Sequence, residues 1–532
     1  MNADLSNTKS KNYKWEVLGV VMIGTLMAAL DQSIVNVSLP NIMADLGTTV
    51  TSVEWVLTGY MISFAVFIPL TTWVRERIGY KKLYITSLSV FTVGSFLCGI
   101  SPNLSVLIIA RIIQAIGGGA LTPTGMALIA EVFEPTERGK AIGYWGVGII
   151  LGPAFGPTLG GYLTQIFGWR SIFTVNIPIG ILGVIFSSKI LKTDKIEVKN
   201  FKSFDFAGFI FLTIAVTFFL LALSLGEQDG WTSTFIISCY ILTIIGTVGF
   251  FLVESIVKEN GIIDLQLFRS SVFSSSMLLI SIRSIILFGG VFLLPLYMQN
   301  IMGYSVIDTG LLLLPSPLLM AFLMIWIGKW TDKVGPRLPT IIGLVGIFEF
   351  MYMYKNLQYS TSVMGLLWPT LIRGVGLAFL IAPIMTAALN SVPKNKAGMA
   401  SSMLNLFQQL SGSIGIAFFG TFLTDRTVFQ MNNLAPYLNA HNPRLIQRLT
   451  QLTLAAHHLG LNFMNAAIAA KMALANYIQI LAATGAFEET FLVGAILVLI
   501  SFIPVFLLPA KADYFLENKK GQEESEIMSM VE

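Results

Sequence analysis

The sequence predicts an all-α membrane protein crossing the bilayer fourteen times. Three observations carry that expectation. Of 532 residues, 55% are hydrophobic and only 12% charged, with a mean hydropathy of +0.75; a soluble chain of this size cannot bury so much apolar surface. The apolar residues fall in windows of about 20, and at about 1.5 Å per residue each window crosses a hydrocarbon core of about 30 Å. Most of the 33 Lys and Arg residues stand in the tails and in alternate loops, the mark of a chain threaded with its basic side in the cytoplasm.

In chain order the expected spans lie near 15–38, 53–73, 83–101, 104–130, 140–165, 171–191, 206–226, 233–255, 273–299, 307–328, 338–355, 363–391, 397–424 and 485–509. The first, from Trp15 to about Pro40, is too long for a signal-peptide core and lacks a small-residue cleavage site, so it stays as a helix. The basic groups are Lys9, Lys11 and Lys14; Arg75 to Lys82; Arg138 and Lys140; Lys189 to Lys202; Lys258 and Arg269; Lys329 to Arg337; Lys394 and Lys396; and Lys511 to Lys520. The short loops of the other side hold only Arg170 and Lys355, so both termini are expected in the cytoplasm and the span count is even.

The chain divides into a tail (1–14), a six-helix half (15–191), a basic linker with two inserted helices (192–255), a second six-helix half (273–509) and a tail (510–532). The inserted spans lack internal glycine-proline motifs, and the halves repeat one another. Thr72-Trp-Val-Arg-Glu76-Arg77-Ile-Gly79-Tyr-Lys81 aligns without gaps to Gly328-Lys-Trp-Thr-Asp332-Lys333-Val-Gly335-Pro-Arg337. Arg111 with Gly117 to Gly119 and Pro123 is echoed by Arg373 with Gly374, Gly376 and Pro383. Outside the repeat stands a loop, 427–487, too long for a connector, with amphipathic helices expected over 445–461 and 464–481 and with Leu445, Leu449 and Leu452 on one face. Cys98 and Cys239 lie in apolar runs and His457 and His458 have no carboxylate beside them, so no metal site is expected.

Buried charge marks the candidate chemistry. Counting from the expected outer ends at Pro40 and Leu104 puts Asp31 and Arg111 both about 10–14 Å deep, where they can pair. Arg283, Glu349 and Arg373 project to near the midplane of the second half, at about 15 Å, and Glu349 is placed to neutralise one arginine. The pair Asp31–Arg111 has two readings, a static lock and a pair broken and remade during transport; intramembrane charges usually mark pathways, which favours the second. The stretch from Gly146 to Gly161 spends glycines and prolines where leucines make a better helix. Its Gly148, Gly152, Pro153, Gly156, Pro157, Gly160 and Gly161 predict a bent helix in close contact with a neighbour.

That glycine-proline order resembles the fifth-helix signature of drug:proton antiporters of the major facilitator superfamily, in the fourteen-helix EmrB/QacA branch. Leu30-Asp31-Gln-Ser-Ile-Val-Asn36 is similar to the branch's first-helix motif, and the segments at Trp55 and Tyr60, Trp169 to Gly180, Leu294 to Gln299 and Gly303 to Ser305 extend the likeness over nearly the whole chain. The resemblance implies the major facilitator fold. It implies proton coupling at Asp31 and Arg111, with Asn36, Gln114, Arg283, Glu349 and Arg373 as cavity candidates. The loop at 72–82 looks like the family's conformational gate, which gives that role to Glu76, Arg77 and Gly79 and, in the second copy, to Asp332, Lys333 and Gly335. This first copy departs from the family pattern, with Thr72 for glycine and Glu76 for aspartate.

The function so implied is proton-driven export of lipophilic, often cationic or structurally diverse, toxic compounds across a bacterial inner (plasma) membrane by alternating access, with no cofactor beyond the proton gradient. The alternative is a proton-coupled transporter of one solute, such as a siderophore, fatty acid or nutrient; a non-transporting sensor leaves the midplane charges without a use. No phosphate-binding Gly-x-x-x-x-Gly-Lys-Ser/Thr loop, nucleophile elbow or His-Glu-x-x-His motif occurs, so nothing looks enzymatic. Nucleic acid is not an expected partner. The resemblance implies one candidate partnership, between the 427–487 loop and an EmrA-like periplasmic adaptor with an outer-membrane channel; the alternative is a self-packed cap over the outer mouth.

Overall fold

Fourteen helices among the described residues are long and apolar enough to cross a membrane. The computed structural model describes residues 2–193, 204–257, 261–358, 361–434 and 443–511. Lys195, Lys199 and Lys202 of the basic linker, Lys258, residues 435–442 of the long loop and the tail beyond Lys511 lie outside them. The first six spans are α1 (Asn12–Leu46), α2 (Val50–Phe67), α3 (Leu70–Gly99), α4 (Leu104–Val132), α5 (Arg138–Phe167) and α6 (Ser171–Ile190). Then come α7 (Phe206–Asp229) and α8 (Thr234–Val257), which pack on each other; α7 also touches α2. The last spans are α9 (Ser271–Ile301), α10 (Ile307–Val334), α11 (Arg337–Asn356), α12 (Val363–Asn390), α13 (Lys394–Leu434) and, after a further helix α14 (Pro443–His458), α15 (Phe463–Val505). Helix α7 reaches α13 as well, so the middle pair lies against both sets of six.

Two glycines punctuate the repeat. Gly79 has φ 78 and ψ 167, and Gly335 has φ 85 and ψ 169, a backbone region closed to residues with a Cβ. The chain therefore turns inside α3 at Gly79: its first turns, from Leu70, continue the second crossing, and the third crossing starts at Tyr80. The basic turns around Gly79, Arg138, Gly335 and Lys394 gather at one end of the bundle, called here the basic end.

The long loop differs from expectation. The helix expected over 464–481 is the outer part of α15, which runs on from Phe463, where Asn462 caps it by accepting from the Asn465 N–H. No proline interrupts the chain from Phe463 until Pro504, so nothing ends the helix at the membrane. At 41 and 43 residues, α13 and α15 are about 60 Å long, about twice the hydrocarbon thickness, and both project from the end opposite the basic one. Helix α14 folds back on α15, and Leu445, Leu449 and Leu452 are half-buried.

Candidate functional site

The buried polar centre of the first half is assembled from five helices. Asp31 on α1 is fully buried, and its Oδ2 accepts from Arg111 Nη1 of α4 at 2.5 Å. Its Oδ1 accepts from Gln114 Nε2 at 2.8 Å and from Asn176 Nδ2 of α6 at 2.9 Å. Both amides also donate to Ser95 Oγ of α3, at 2.6 and 3.2 Å. Arg111 in turn donates from Nη1 to Gln114 Oε1 at 2.7 Å and from Nε to the Val56 carbonyl of α2 at 3.4 Å, and its guanidinium lies 3.9 Å from the Tyr60 ring centre. A buried carboxylate survives in an apolar interior only with a counter-charge and filled lone pairs. Asp31 has both.

Helical spacing explains the arrangement. Arg111 and Gln114 are three residues apart and so share a face. Gly94 and Gly117 let α3 and α4 touch by backbone: a Cβ on Gly94 sits 2.6 Å from Gln114 Cα, and one on Gly117 sits 2.5 Å from Phe91 N. Asn36 lies one turn beyond Gln32, exposed, and takes no part in the buried network.

Helix α5 changes partner along its length. In its outer part the glycine seam rides on α1: a Cβ on Gly152 meets Ala29 at 2.5 Å, on Gly156 Ser33 Oγ at 2.5 Å, and on Gly160 Ile34 at 2.8 Å. Gly148 makes only an ordinary contact and Gly161 faces open space, while Pro153 and Pro157 are exposed. The helix runs unbroken from Arg138 to Phe167 through both prolines. Nearer the basic end the same helix packs on α10 of the other half, with Gly139 on Gly328 and Gly143 on the Met324 carbonyl.

That crossing is locked by Asp332. Its Oδ1 and Oδ2 accept from the Gly139 and Lys140 backbone N–H groups, both at 2.8 Å, so a carboxylate caps the positive end of α5. Beside it Arg138, 2% exposed, donates to the Ala130 and Phe133 carbonyls ending α4 and to Leu389 O and Asn390 Oδ1 ending α12, while Asn390 Nδ2 donates to Pro135 O. On the pseudo-symmetric side Thr71 Oγ1 and Thr72 Oγ1 meet Ser402 Oγ of α13 at 2.7 and 3.3 Å. Glu76 is exposed and joins none of this; Arg77 stacks on Trp73 at 3.6 Å, and Lys333 is exposed. The hydrogen bonds that join the two sets of six helices through Thr71, Thr72, Met126, Pro135, Arg138, Gly139 and Lys140 lie toward the basic end, which is closed.

The second half holds its charges differently. Arg283 donates from Nη2 to Gln408 Oε1 at 2.8 Å. Arg373 lies 5.6 Å from the Phe350 ring. The expectation that Glu349 neutralises one of them is not met: Glu349 is exposed, on the α11 stripe formed by Leu338, Ile342, Val345 and Tyr352, which are exposed too. The depth expected for Glu349 concerned its height along the helix, whereas its face is set by that three-and-four spacing.

Sequence reasoning assigned no role to Ser95, Asn176, Arg138 or Asn390. Asn176 lies within the motif segment Trp169 to Gly180, and Arg138 reads from sequence only as a basic turn residue. Asn176 carries a detectable signal, a carboxamide two residues before a proline in an apolar span; Ser95 carries none.

The sequence pattern of the Major Facilitator Superfamily matches residues 21–416. The chain is 32% identical to the multidrug export protein EmrB of Haemophilus influenzae, over 79% of this chain and 82% of that one. It is 31% identical to the EmrB of Escherichia coli strain K12, over 81% and 84%. An uncharacterised transporter of the same type from Bacillus subtilis, YhcA, is 34% identical over 83% of each. Among solved structures, the human organic anion transporter and a proton:xylose symporter each superpose with a TM-score of 0.57 at 14% identity, covering 91% and 92% of this chain and 99% and 95% of theirs.

Proposed function

The chain belongs to the Major Facilitator Superfamily, and from that premise we propose that it is a proton-driven antiporter that exports lipophilic compounds from a bacterial cell by alternating access. The observation that carries the reading is the junction on α1. Asp31 on one face of α1 holds α4 and α6, while Ala29 and Ser33 on the other face carry the glycine seam of α5. The far end of α5 is the part that Asp332 ties to the second half.

Protonation of Asp31 removes the charge that holds three donors. Helix α1 is then freer to move against α4 and α6, and α5 moves with it, because glycine contacts this close transmit displacement instead of absorbing it. A shift at the α5 N-terminus breaks two charge-assisted hydrogen bonds to Asp332 and opens the basic end. With both termini in the cytoplasm, the closed basic end is the inner gate, and the form described is the one that releases substrate and takes up protons from outside. The EmrB relatives are named as multidrug export proteins, which supports export of several compounds over uptake of one. The folding of α14 onto α15, which half-buries Leu445, Leu449 and Leu452, supports a self-packed arrangement of the projecting helices.

The test uses purified protein in proteoliposomes with an imposed pH gradient and an internal pH dye. Wild type and Arg111→Lys move protons when a transported dye is added, whereas Asp31→Asn binds the dye without proton movement. Uphill export with proton flux by Asp31→Asn assigns the pair a purely structural role.

A further inference from the structure

Two buried arginines of the second half have no counter-ion among the described residues. Arg283 on α9 is 4% exposed and Arg373 on α12 is 9% exposed. Arg283 uses one N–H on Gln408, and its Nε and Nη1 are buried with no partner. Arg373 makes no hydrogen bond among the described residues; its Nε is buried and unpartnered. The two helices that carry them pack on each other. Phe350 offers Arg373 a cation–π contact, which leaves the net charge where it was. An unpaired buried ion is costly to hold away from water.

No acid among the described residues pairs with either of them. Glu349 faces outward, Glu489 is held by Arg426 and Gln430, and Glu488, half-buried on α15, makes no ion pair with either arginine. The repeat shows what is missing. Counting back nine residues from Pro40 gives Asp31, and counting back nine from Pro295 gives Ile286, a buried apolar residue where the first half has its carboxylate. The arginine is repeated and its acid is not.

We propose that Arg283 and Arg373 form an anion-binding site in the core of the second half, which receives the carboxylate, sulfonate or phosphate group of a lipophilic organic anion. A guanidinium presents a planar fork of N–H donors that matches such groups two at a time. Gln408, half-buried, already accepts from Arg283 and supplies its amide N–H at the edge of the site. The site rests on the transport reading for its use, and it turns the expected preference for cations into one for anions.

The discriminating experiment is equilibrium binding to the full chain in phosphatidylcholine nanodiscs, without a proton gradient, of two fluorescent probes of one shape and opposite charge, 1-naphthoate and 1-naphthylmethylammonium. Naphthoate should bind, the ammonium at least tenfold more weakly, and Arg373→Gln and Arg283→Gln should each weaken naphthoate at least tenfold. Arg373→Lys, which keeps the charge, should retain much of it and reports that the fold tolerates the position. Preference for the ammonium, no naphthoate binding by wild type, or undiminished binding by both Gln variants overturns the proposal. Repeating the titration with phosphatidylglycerol in the discs identifies the natural source: competition assigns the site to a lipid headgroup, persistence to a soluble anion. Failure of proton coupling in proteoliposomes, with naphthoate binding intact, counts against the antiport reading alone.

Discussion

The two halves repeat one plan and use opposite parts of it. In the first, the mid-helix arginine has its acid, with Asp31 2.5 Å from Arg111 and two amides filling the remaining lone pairs. In the second, Arg373 has an aromatic ring and, among the described residues, no acid. At the gate loop the assignment reverses: Asp332 of the second copy caps α5, while Glu76 of the first is exposed. The backbone is common to both, since Gly79 and Gly335 share one unusual conformation within 7° in φ, 78 against 85. What diverged is which copy keeps its carboxylate at work. On the proposed reading, a neutral centre suits a group that gains and loses a proton, and a charged one suits a ligand that brings its own charge.

The largest expected effect tests that contrast directly. Arg111→Gln leaves Asp31 buried without its cation and should cost about 3–5 kcal/mol, whereas Arg373→Gln strands no acid and should leave stability unchanged or improved. Thermal unfolding of the detergent-purified full chain reads both. The double variant Asp31→Asn with Arg111→Gln should recover most of the loss, because no unpaired charge remains. Equal destabilisation by the two arginine variants would erase the difference between the halves.

A second contrast lies within α5. Gly152→Leu or Gly156→Leu places a side chain where a Cβ alone is already 2.5 Å from α1, so transport should fall at least tenfold while insertion, which follows hydrophobicity, persists. Gly161→Leu, facing open space, should transport nearly as wild type. Uptake of a dye into inverted vesicles, normalised to membrane-inserted protein, separates the outcomes; wild-type transport by Gly152→Leu would show that the seam needs no close approach.

The sequence made some of this visible because some of it is local. Span number, the pairing of Asp31 with Arg111 and the face shared by Arg111 and Gln114 follow from hydropathy, depth and helical period. That the α5 glycines seek a close neighbour was legible, but not that the neighbour changes from α1 to α10, since a glycine does not name the backbone it admits. The third and sixth helices' contributions, Ser95 and Asn176, depend on rotation of helices distant in sequence. Counting along the chain gives Glu349 a height and no face, although the stripe of Leu338, Ile342 and Val345 at helical spacing points it outward. Hydropathy separates the 464–481 helix from the last span because a hydropathy window ends where polarity rises, whereas a helix ends where a breaker stands.

The smallest effect expected is at the gate, and it sharpens the reversal between the two loop copies. Asp332 gives two charge-assisted hydrogen bonds to the first turn of α5, each short because Gly139 and Gly328 bring the backbones into contact. Asparagine keeps one acceptor oxygen and loses the charge that the helix end favours, so Asp332→Asn should weaken the closed basic end by about 1–2 kcal/mol, a factor of about 5–30 in the ratio of closed to open forms. Glu76→Gln removes a carboxylate already in solvent, and its effect should stay within about 0.5 kcal/mol. A cysteine at Asn405, behind the closed end and buried in this form, reports the ratio: in inverted vesicles an impermeant maleimide should label Asn405→Cys faster when Asp332→Asn is added and at an unchanged rate when Glu76→Gln is added. Faster labelling with Glu76→Gln than with Asp332→Asn would place the working acid in the first copy, and the diagonal relation between the halves would fail at its gate.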